Sequence, residues 1–388
     1  MTRLFHQFQN LLFNSRKFLL SQFSTDPTEV QEPENSLTQL PEDTASLLSE
    51  MARDLPSNRG DVEAIQTALD EAFAEWLDNS ESGDNSLLIL SSPVTSVSRI
   101  LTDSISDWLM EKKVPLRPLE WLGRPKNTEE IVHKLRQQLG RGGLGGDSKT
   151  SEIVVIPNLS WCYLRCFEGL EGIDYLQDVL LQDNSRFWVI ASGLVGWEYL
   201  NYVSHFKAYC GKSFILPKLV GEQLQTWLAP IISELEIKFD KLNNDFGDFD
   251  RNKDPQTKYF DRLARVSGGV SSVALEIFLD SICYELIDSD HQSGTLQVKN
   301  PRSPNLSRLL PDELYLLYSL LLHEDLTLSE AADSLGDEIS LVRSKVYTLR
   351  RKGIIEQRGN TITLNPIHYP RLKSELSNNN FIISDEDD

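Results

Sequence analysis

The 388-residue sequence predicts an α/β fold: a core on a parallel sheet, a helical segment after it, and a small module of three helices and a hairpin at the carboxyl end. Three observations predict it. Between residues 61 and 230, short apolar runs alternate with helix-length amphipathic stretches, the pattern of strand–helix–strand units. The runs Leu87–Leu90, Ile153–Ile156 and Phe187–Ile190 are apolar on both faces, as strands buried between two helix layers are. Residues 311–364 give three short amphipathic stretches and then two strands about the turn Arg358-Gly359-Asn360.

Residues 1–24 hold a candidate amphipathic helix over 3–23, with Leu4, Phe8, Leu11, Leu12, Phe18 and Leu19 on one face and Arg3, Arg16 and Lys17 as its charges beside His6. Such a segment lies on a membrane surface or a partner, or packs against its own domain. Gln7, Gln9, Asn10, Asn14 and Ser15 interrupt any signal-peptide apolar stretch. Pro27, Pro33, Pro41 and Pro56 among Ser, Thr, Asp and Glu mark 25–60 as an acidic linker with at most a short helix near Ala45–Leu55.

The core is expected over 61–230. Asp61–Leu77 is helical with Val62, Ile65, Ala68, Leu69 and Phe73 inward. The strand Leu87–Leu90, the small-residue turn Ser91–Ser96 and the helix Val97–Glu111 follow; Val97, Ile100, Leu101, Ile105 and Trp108 fall three or four apart. A short strand near Val114–Leu119, a helix Thr128–Leu139, a glycine-rich loop Gly140–Gly146, a strand Glu152–Pro157, a helix Ile173–Leu181, a strand Arg186–Ser192 and a strand Phe214–Leu216 complete it. Gly221–Lys241 reads as one long helix, Asn243–Lys253 as a polar acidic insertion, and Tyr259–Ile287 as mostly helical with a break at Gly268-Gly269. These make a helical lid over 231–288, and 289–305 is a second linker.

The opening unit resembles that of P-loop ATPases with its phosphate chemistry removed. A working loop reads G-x-x-x-x-G-K-[ST], glycines letting backbone N–H groups wrap phosphates while the lysine reaches the β- and γ-phosphates. Here Ser92 opens the turn, Ser96 stands at the second glycine, Val97 at the lysine, and only Ser98 matches. The order of parts over 61–287 resembles the AAA+ branch, origin-recognition-type members in particular. That resemblance places Ile153–Asn158 at the Walker B strand, where Pro157-Asn158 replaces the carboxylates, and Ser192 at the polar end of the sensor strand. It also places Leu263–Gly269 and Val273–Leu275 at the lid, whose helix Ser271–Ile282 lacks the family's arginine. Phosphoryl transfer rests on charge stabilisation and positioning, so losing these groups together implies a pseudo-ATPase with no catalytic residues. An unrelated α/β domain that never bound nucleotide is the competing reading.

Other motifs fail on context. Gly211-Lys212-Ser213 lacks its upstream glycine, since Phe206 stands there, and precedes a strand. Asp245–Asp254 mimics a calcium loop, but Lys253 and Tyr259 stand at the required glycine and glutamate. Cys162 and Cys166 share a helix face without a second ligand pair, so no metal and no cofactor is expected. The four cysteines lack a framework spacing, which suits a reducing, cytoplasmic setting, with peripheral membrane attachment through 3–23 as the variant.

The C-terminal segment, 306–376, carries the functional expectation. Pro311–His323 begins it with Leu314, Leu317, Tyr318 and Leu321 inward; Leu326–Leu335 follows with a Thr327/Glu330 capping-box spacing and a Gly336 stop; Ile339–Lys352 is third and ends at Gly353. Ile354–Gln357 and Thr361–Leu364 form the hairpin. The order resembles a winged helix-turn-helix domain of MarR-type regulators. Val342, Val346 and Leu349 form a buried stripe, while Arg343, Tyr347, Arg350 and Arg351 occupy the outward face and Arg358 the wing. From Ile339 to Lys373 there are eight basic residues against Glu356, a local +7 within a chain of net charge −20. A uniformly acidic surface repels nucleic acid, so such a patch carries the expectation of duplex DNA. The other reading is a protein-binding winged helix. The acidic tail 377–388 is expected to compete for the basic face. Together these readings predict a non-catalytic AAA+-like scaffold with a DNA-binding module, or a membrane- or complex-associated adaptor, with a protein partner in either case.

Overall fold

Leu87–Leu90 and its counterparts become adjacent strands in the computed structural model, which describes residues 40–78, 84–112, 116–119, 121, 123–140, 152–182, 185–240, 242, 254–286 and 294–383. The expectations for 3–23, Gly142–Gly146, Asn243–Lys253 and the end of the acidic tail lie outside these residues. The described residues form two compact units, one holding those up to Asn58 with Lys218–Ser303, the other Arg59–Pro217 with Pro304 onward.

In chain order, the elements begin with α1 (Glu42–Asp54), α2 (Arg59–Asp78), β1 (Ser86–Ser91), α3 (Val97–Lys112), β2 (Leu116–Pro118), α4 (Thr128–Leu139) and β3 (Glu152–Ile156). A 3₁₀ turn at Leu159–Cys162 leads to α5 (Glu171–Gln182), β4 (Arg186–Gly193), α6 (Leu194–Ser204) and β5 (Lys212–Ile215). The five strands make a parallel sheet in the order β2-β3-β4-β1-β5. Register sets Ile89 beside Ala191 on one side and Phe214 on the other.

Strand alternation splits the sheet's apolar residues between two layers. Leu87, Ile89, Ile153, Val155, Phe187, Val189 and Ala191 pack under α2 and α3. Leu88, Leu90, Val154, Ile156, Trp188 and Ile190 pack under α4, α5 and α6. Helices on both faces of a parallel sheet are the predicted α/β class. The helix after β1 and the helix after β4 therefore lie on opposite faces, which makes the β1/β4 crevice the topological switch point of the sheet.

The smaller unit continues from α1 with α7 (Gly221–Glu234), α8 (Pro255–Ser267), α9 (Ser271–Ser281), β6 (Ile282–Leu286) and β7 (Gly294–Val298). Phe239, Tyr259, Phe260 and Phe278 form its aromatic centre. Two sequence expectations are corrected here. The helix expected to Lys241 stops at Glu234, because Glu236 takes φ 48° and Lys238 turns to bridge Gln297. The helical stretch expected to Ile287 ends at Ser281, and Ile282–Leu286 (β6) pairs antiparallel with Gly294–Val298 (β7) from the expected linker, so that Ile282 faces Val298 and Tyr284 faces Leu296. Gly268 and Gly269, at φ 65° and 75°, end α8 in the left-handed region that a side chain resists.

The larger unit closes with α10 (Pro311–His323), β8 (Asp325–Thr327), α11 (Leu328–Leu335), α12 (Ile339–Arg351), β9 (Ile355–Arg358), β10 (Thr361–Leu364) and α13 (Tyr369–Asn378). Its strands form an antiparallel sheet in the order β8-β10-β9. Thr327 and Glu330 close the capping box at the head of α11: the Thr327 N–H donates to Glu330 Oε2 at 2.7 Å and the Glu330 N–H to Thr327 Oγ1 at 3.3 Å. α10 is buried nearly all round, from Glu313 to His323. A helix apolar on every side needs neighbours on every side. Those neighbours are α11, α12 and β10 on one flank and α6 on the other.

Candidate functional site

The site expected for nucleic acid is the outer face of α12. Val342, Val346 and Leu349 face inward and are buried, as their spacing requires. Arg343, Ser344, Tyr347, Thr348 and Arg351 are exposed, at helical spacings that place them on one stripe. Tyr347 is 62% exposed, and the Arg351 guanidinium lies 5.9 Å from its ring centroid, a cation–π pair that holds both side chains outward. Arg350 is half-buried at the edge of the stripe.

Three other basic residues of this module have acidic partners. Lys345 Nζ lies 2.6 Å from Asp337 and 3.7 Å from Asp312. Lys352 Nζ donates to both Glu313 oxygens at 2.8 and 3.0 Å. Arg358 on β9 donates to Glu356 at 2.5 Å. The local excess of +7 read from sequence is thus not one continuous field. Within the stripe itself, Arg343 and Arg351 are the exposed arginines.

The second expected site is the loop between β1 and α3. Ser96 is exposed, Ser98 half-buried and Ser92 buried. Val97, at the position of the missing lysine, is 0% exposed and belongs to the core under α2 and α3. Loop amides turn inward on their own carbonyls: the Thr95 N–H donates to Ser92 O at 2.9 Å and the Val97 N–H to Thr95 O at 2.7 Å. Asn158 caps the 3₁₀ turn by accepting from the Ser160 N–H at 2.9 Å. Cys162 ends that turn and Cys166 sits in the following loop, so the expectation that the two share a helix is corrected; burial pushes the Cys162 thiol up to about 12. Among the described residues no group of three or more His, Cys, Asp or Glu could hold a metal ion.

What the sequence reading missed is the junction between this core and α10. The last carbonyls of a helix have no intrahelical donor. Those of α10 are met by core side chains. Tyr163 Oη donates to Leu322 O at 2.9 Å, Ser160 Oγ to His323 O at 3.0 Å, and Arg124 to His323 O at 3.1 Å and Asp325 O at 2.9 Å. The Arg124 cation also suits the negative end of the helix dipole. His323 Nε2 accepts from the Arg165 N–H at 3.2 Å; burial, with Arg124 and Arg165 nearby, holds its pKa well below the ordinary value, so the ring is neutral.

Glu324 follows in the left-handed region, φ 64°. Its Oε1 accepts from the Gly193 N–H at 3.0 Å and its Oε2 from Asn158 Nδ2 at 2.8 Å. Burial, then the neighbouring Asp325, pushes its carboxyl up to about 8. The sequence signal for this junction is the triplet His323-Glu324-Asp325 directly after an all-apolar helix, three titratable groups at the end of a run that has to be buried.

No protein-family model and no curated protein matches the sequence. Among solved structures, the chain is similar to Cdc6p from Pyrobaculum aerophilum, with 14% identity, 83% of this chain and 96% of that chain covered, and a TM-score of 0.37. It is also similar to the ORC2 protein of Aeropyrum pernix in ADPNP–ADP complexes (11% identity, 83% and 93% covered, TM-score 0.36). The Aeropyrum pernix ORC1 protein in complex with DNA matches with 13% identity, 83% and 94% covered, and a TM-score of 0.35.

Proposed function

We propose that the chain is a non-catalytic AAA+-like scaffold that presents a winged-helix module to duplex DNA, in a regulatory or assembly role. The observation that carries this reading is the exposed stripe Arg343, Ser344, Tyr347, Thr348 and Arg351 on α12, backed by a buried stripe on the same helix. Arg343 and Arg351 are eight residues apart, about 12 Å along a helix axis. A helix about 10–12 Å across fits the roughly 12 Å wide major groove, so both arginines can lie along it. Arg350 flanks the stripe, and Arg358 reaches a phosphate only by leaving Glu356.

The absence of catalysis follows from the chemistry at the β1 loop and the end of β3. Val97 brings no cation, and Pro157-Asn158 brings no carboxylate for a metal. Fluorescence binding to a short duplex over a series of salt concentrations tests the DNA reading: log Kobs falls with log salt by about 0.9 per phosphate engaged. Affinity that is absent, or flat with salt, overturns it.

A protein-binding winged helix is the second reading. Ile339 and Leu341, 45% and 55% exposed at the head of α12, favour it, since apolar side chains beside a basic stripe suit a protein surface. Under that reading Ile339→Ser abolishes partner capture while DNA binding is never seen.

A further inference from the structure

The loop between the 3₁₀ turn and α5 holds one apolar side chain out in water. Its neck is closed by the Leu164 N–H, which donates to Gly169 O at 3.0 Å, and its tip by the Gly169 N–H, which donates to Cys166 O at 3.2 Å. A Cβ on Gly169 would overlap Leu164 O and Cys166 Sγ, so the neck admits no wider residue. Arg165 ties the loop to its neighbours: its N–H donates to His323 Nε2 at 3.2 Å and its guanidinium to Ser334 O at 3.0 Å. Between these ties Phe167 is 88% exposed, and Glu168 after it takes φ 56°, a conformation that side chains resist. Such strain persists only where the surroundings impose it, and it concentrates at sites that bind.

Phe167 has aromatic company. Tyr199 of α6 stacks on Tyr163 with ring centroids 6.2 Å apart. Burial raises the Tyr199 hydroxyl, and Arg165 and Cys166 of the loop are both near enough to act on it. Tyr202 and Val203, three and four residues further along α6 and so on the same flank, are 72% and 40% exposed. Acids border this surface. Glu168 adjoins Phe167, and Glu171 and Asp174 stand on the first turn of α5. Asp333 of α11 lies beside the loop, since after burial it is the group that raises the Cys166 thiol. All four acids are exposed.

The same chain carries the complement of this surface. Residues 3–23 contain no acid, and Phe5, Phe8, Phe13, Phe18 and Phe23 stand among Arg3, Arg16 and Lys17. The chain from Phe23 to Leu40 extends to at most about 60 Å, which spans the distance to a neighbouring molecule. We propose that the Phe167 tip, with Tyr199 and Tyr202 beside it, is a docking surface for residues 3–23 of a second copy of this chain. Aromatic side chains supply the contact, and the acids that border it meet Arg16 and Lys17. An exchange in which each copy gives its basic segment and receives its partner's uses one pair of surfaces twice and closes a dimer. The contact uses neither the α12 stripe nor the loop after β1, so it stands whether or not the chain meets DNA.

The test is sedimentation velocity of the full chain over a wide range of concentration, at low and high KCl. Wild-type protein is predicted to dimerise, and less tightly at high salt. Phe167→Ser removes an exposed side chain, so it leaves Tm unchanged while weakening dimerisation by about 30-fold or more. Arg16→Glu with Lys17→Glu weakens it as well, as does Glu168→Lys with Glu171→Lys. Combining the two pairs in one chain restores it. Leu77→Ser is the control, an equally apolar and 55% exposed residue on α2, on the other face of the sheet, and it is predicted to change nothing. A wild-type chain that stays monomeric throughout, a dimer that Phe167→Ser leaves as tight, or a charge swap that restores nothing overturns the proposal.

Discussion

Glu324 shows how one side chain ties pH to the stability of a whole unit. Its carboxyl keeps its proton to about 8 in the folded chain against an ordinary 4.5. Between those two values the folded state binds one proton more than the unfolded state. Stability from this group is therefore full below 4.5 and is lost as pH rises toward 8, by up to about 1.4 kcal/mol per pH unit. His323 runs the other way: its pKa is held down, so its contribution is present above the ordinary 6.5 and is lost as pH falls below it. Denaturant melts at pH 6.5 and 8 are predicted to show a loss of stability that Glu324→Gln removes in part; a parallel loss in both proteins contradicts the assignment. The β9–β10 hairpin follows similar logic. Glu356 holds Arg358 at 2.5 Å, so Glu356→Gln is predicted to free one more cation and steepen the salt dependence of DNA binding by about 0.9. An unchanged slope means Arg358 does not reach the backbone.

At the scale of elements, the contact between α6 and α10 decides how the C-terminal module is held. A Cβ at Gly196 would meet Leu322 O at 2.6 Å and Tyr163 Oη at 2.9 Å, so the two helices approach as closely as a glycine permits. Gly196→Ala is predicted to cost about 1–3 kcal/mol by forcing them apart, read as a lower urea midpoint at unchanged slope. A neutral or stabilising result, as a helix propensity gain alone would give, contradicts the close approach. Local rules made many elements legible before any coordinates. Leu87–Leu90 and Phe187–Ile190 are apolar on both faces and could only be central strands. Gly336 and Gly353 mark the ends of α11 and of the turn after α12, both in the left-handed region at φ 69° and 71°. α6 was hidden because β4 passes into it at Gly193 with no polar turn between them. β8 was hidden because three residues carry no period, and its pairing with β10 is set by a partner some 35 residues away. The Glu324 contacts were illegible for the same reason: nothing local places Asn158, Gly193 and Glu324 together. The basic stripe was legible as a pattern, yet Asp312, Asp337 and Glu313 neutralise part of it across elements that periodicity treats separately.

At the scale of the molecule, charge and architecture set the conditions for any partner. A chain of net charge −20 repels DNA as a whole, so binding has to come from a short exposed stripe and to weaken steeply with salt. Among the described residues no helix is long and apolar enough to cross a membrane. The larger unit takes its chain from both sides of the smaller one, and α10 is shared between the sheet layer and the C-terminal module. Removing residues 304–388 is therefore predicted to expose the α6 face and aggregate the remainder, checked by light scattering; a soluble, cooperatively melting fragment contradicts the shared core. The most direct measurement of duplex recognition by α12 is an anisotropy titration of a short duplex with the full chain and with the Arg343→Ala/Arg351→Ala double variant across a range of KCl. The double variant is predicted to bind more weakly at every salt concentration and to lower the log–log slope by about 1.8. Equal slopes and equal affinities in the two proteins contradict it.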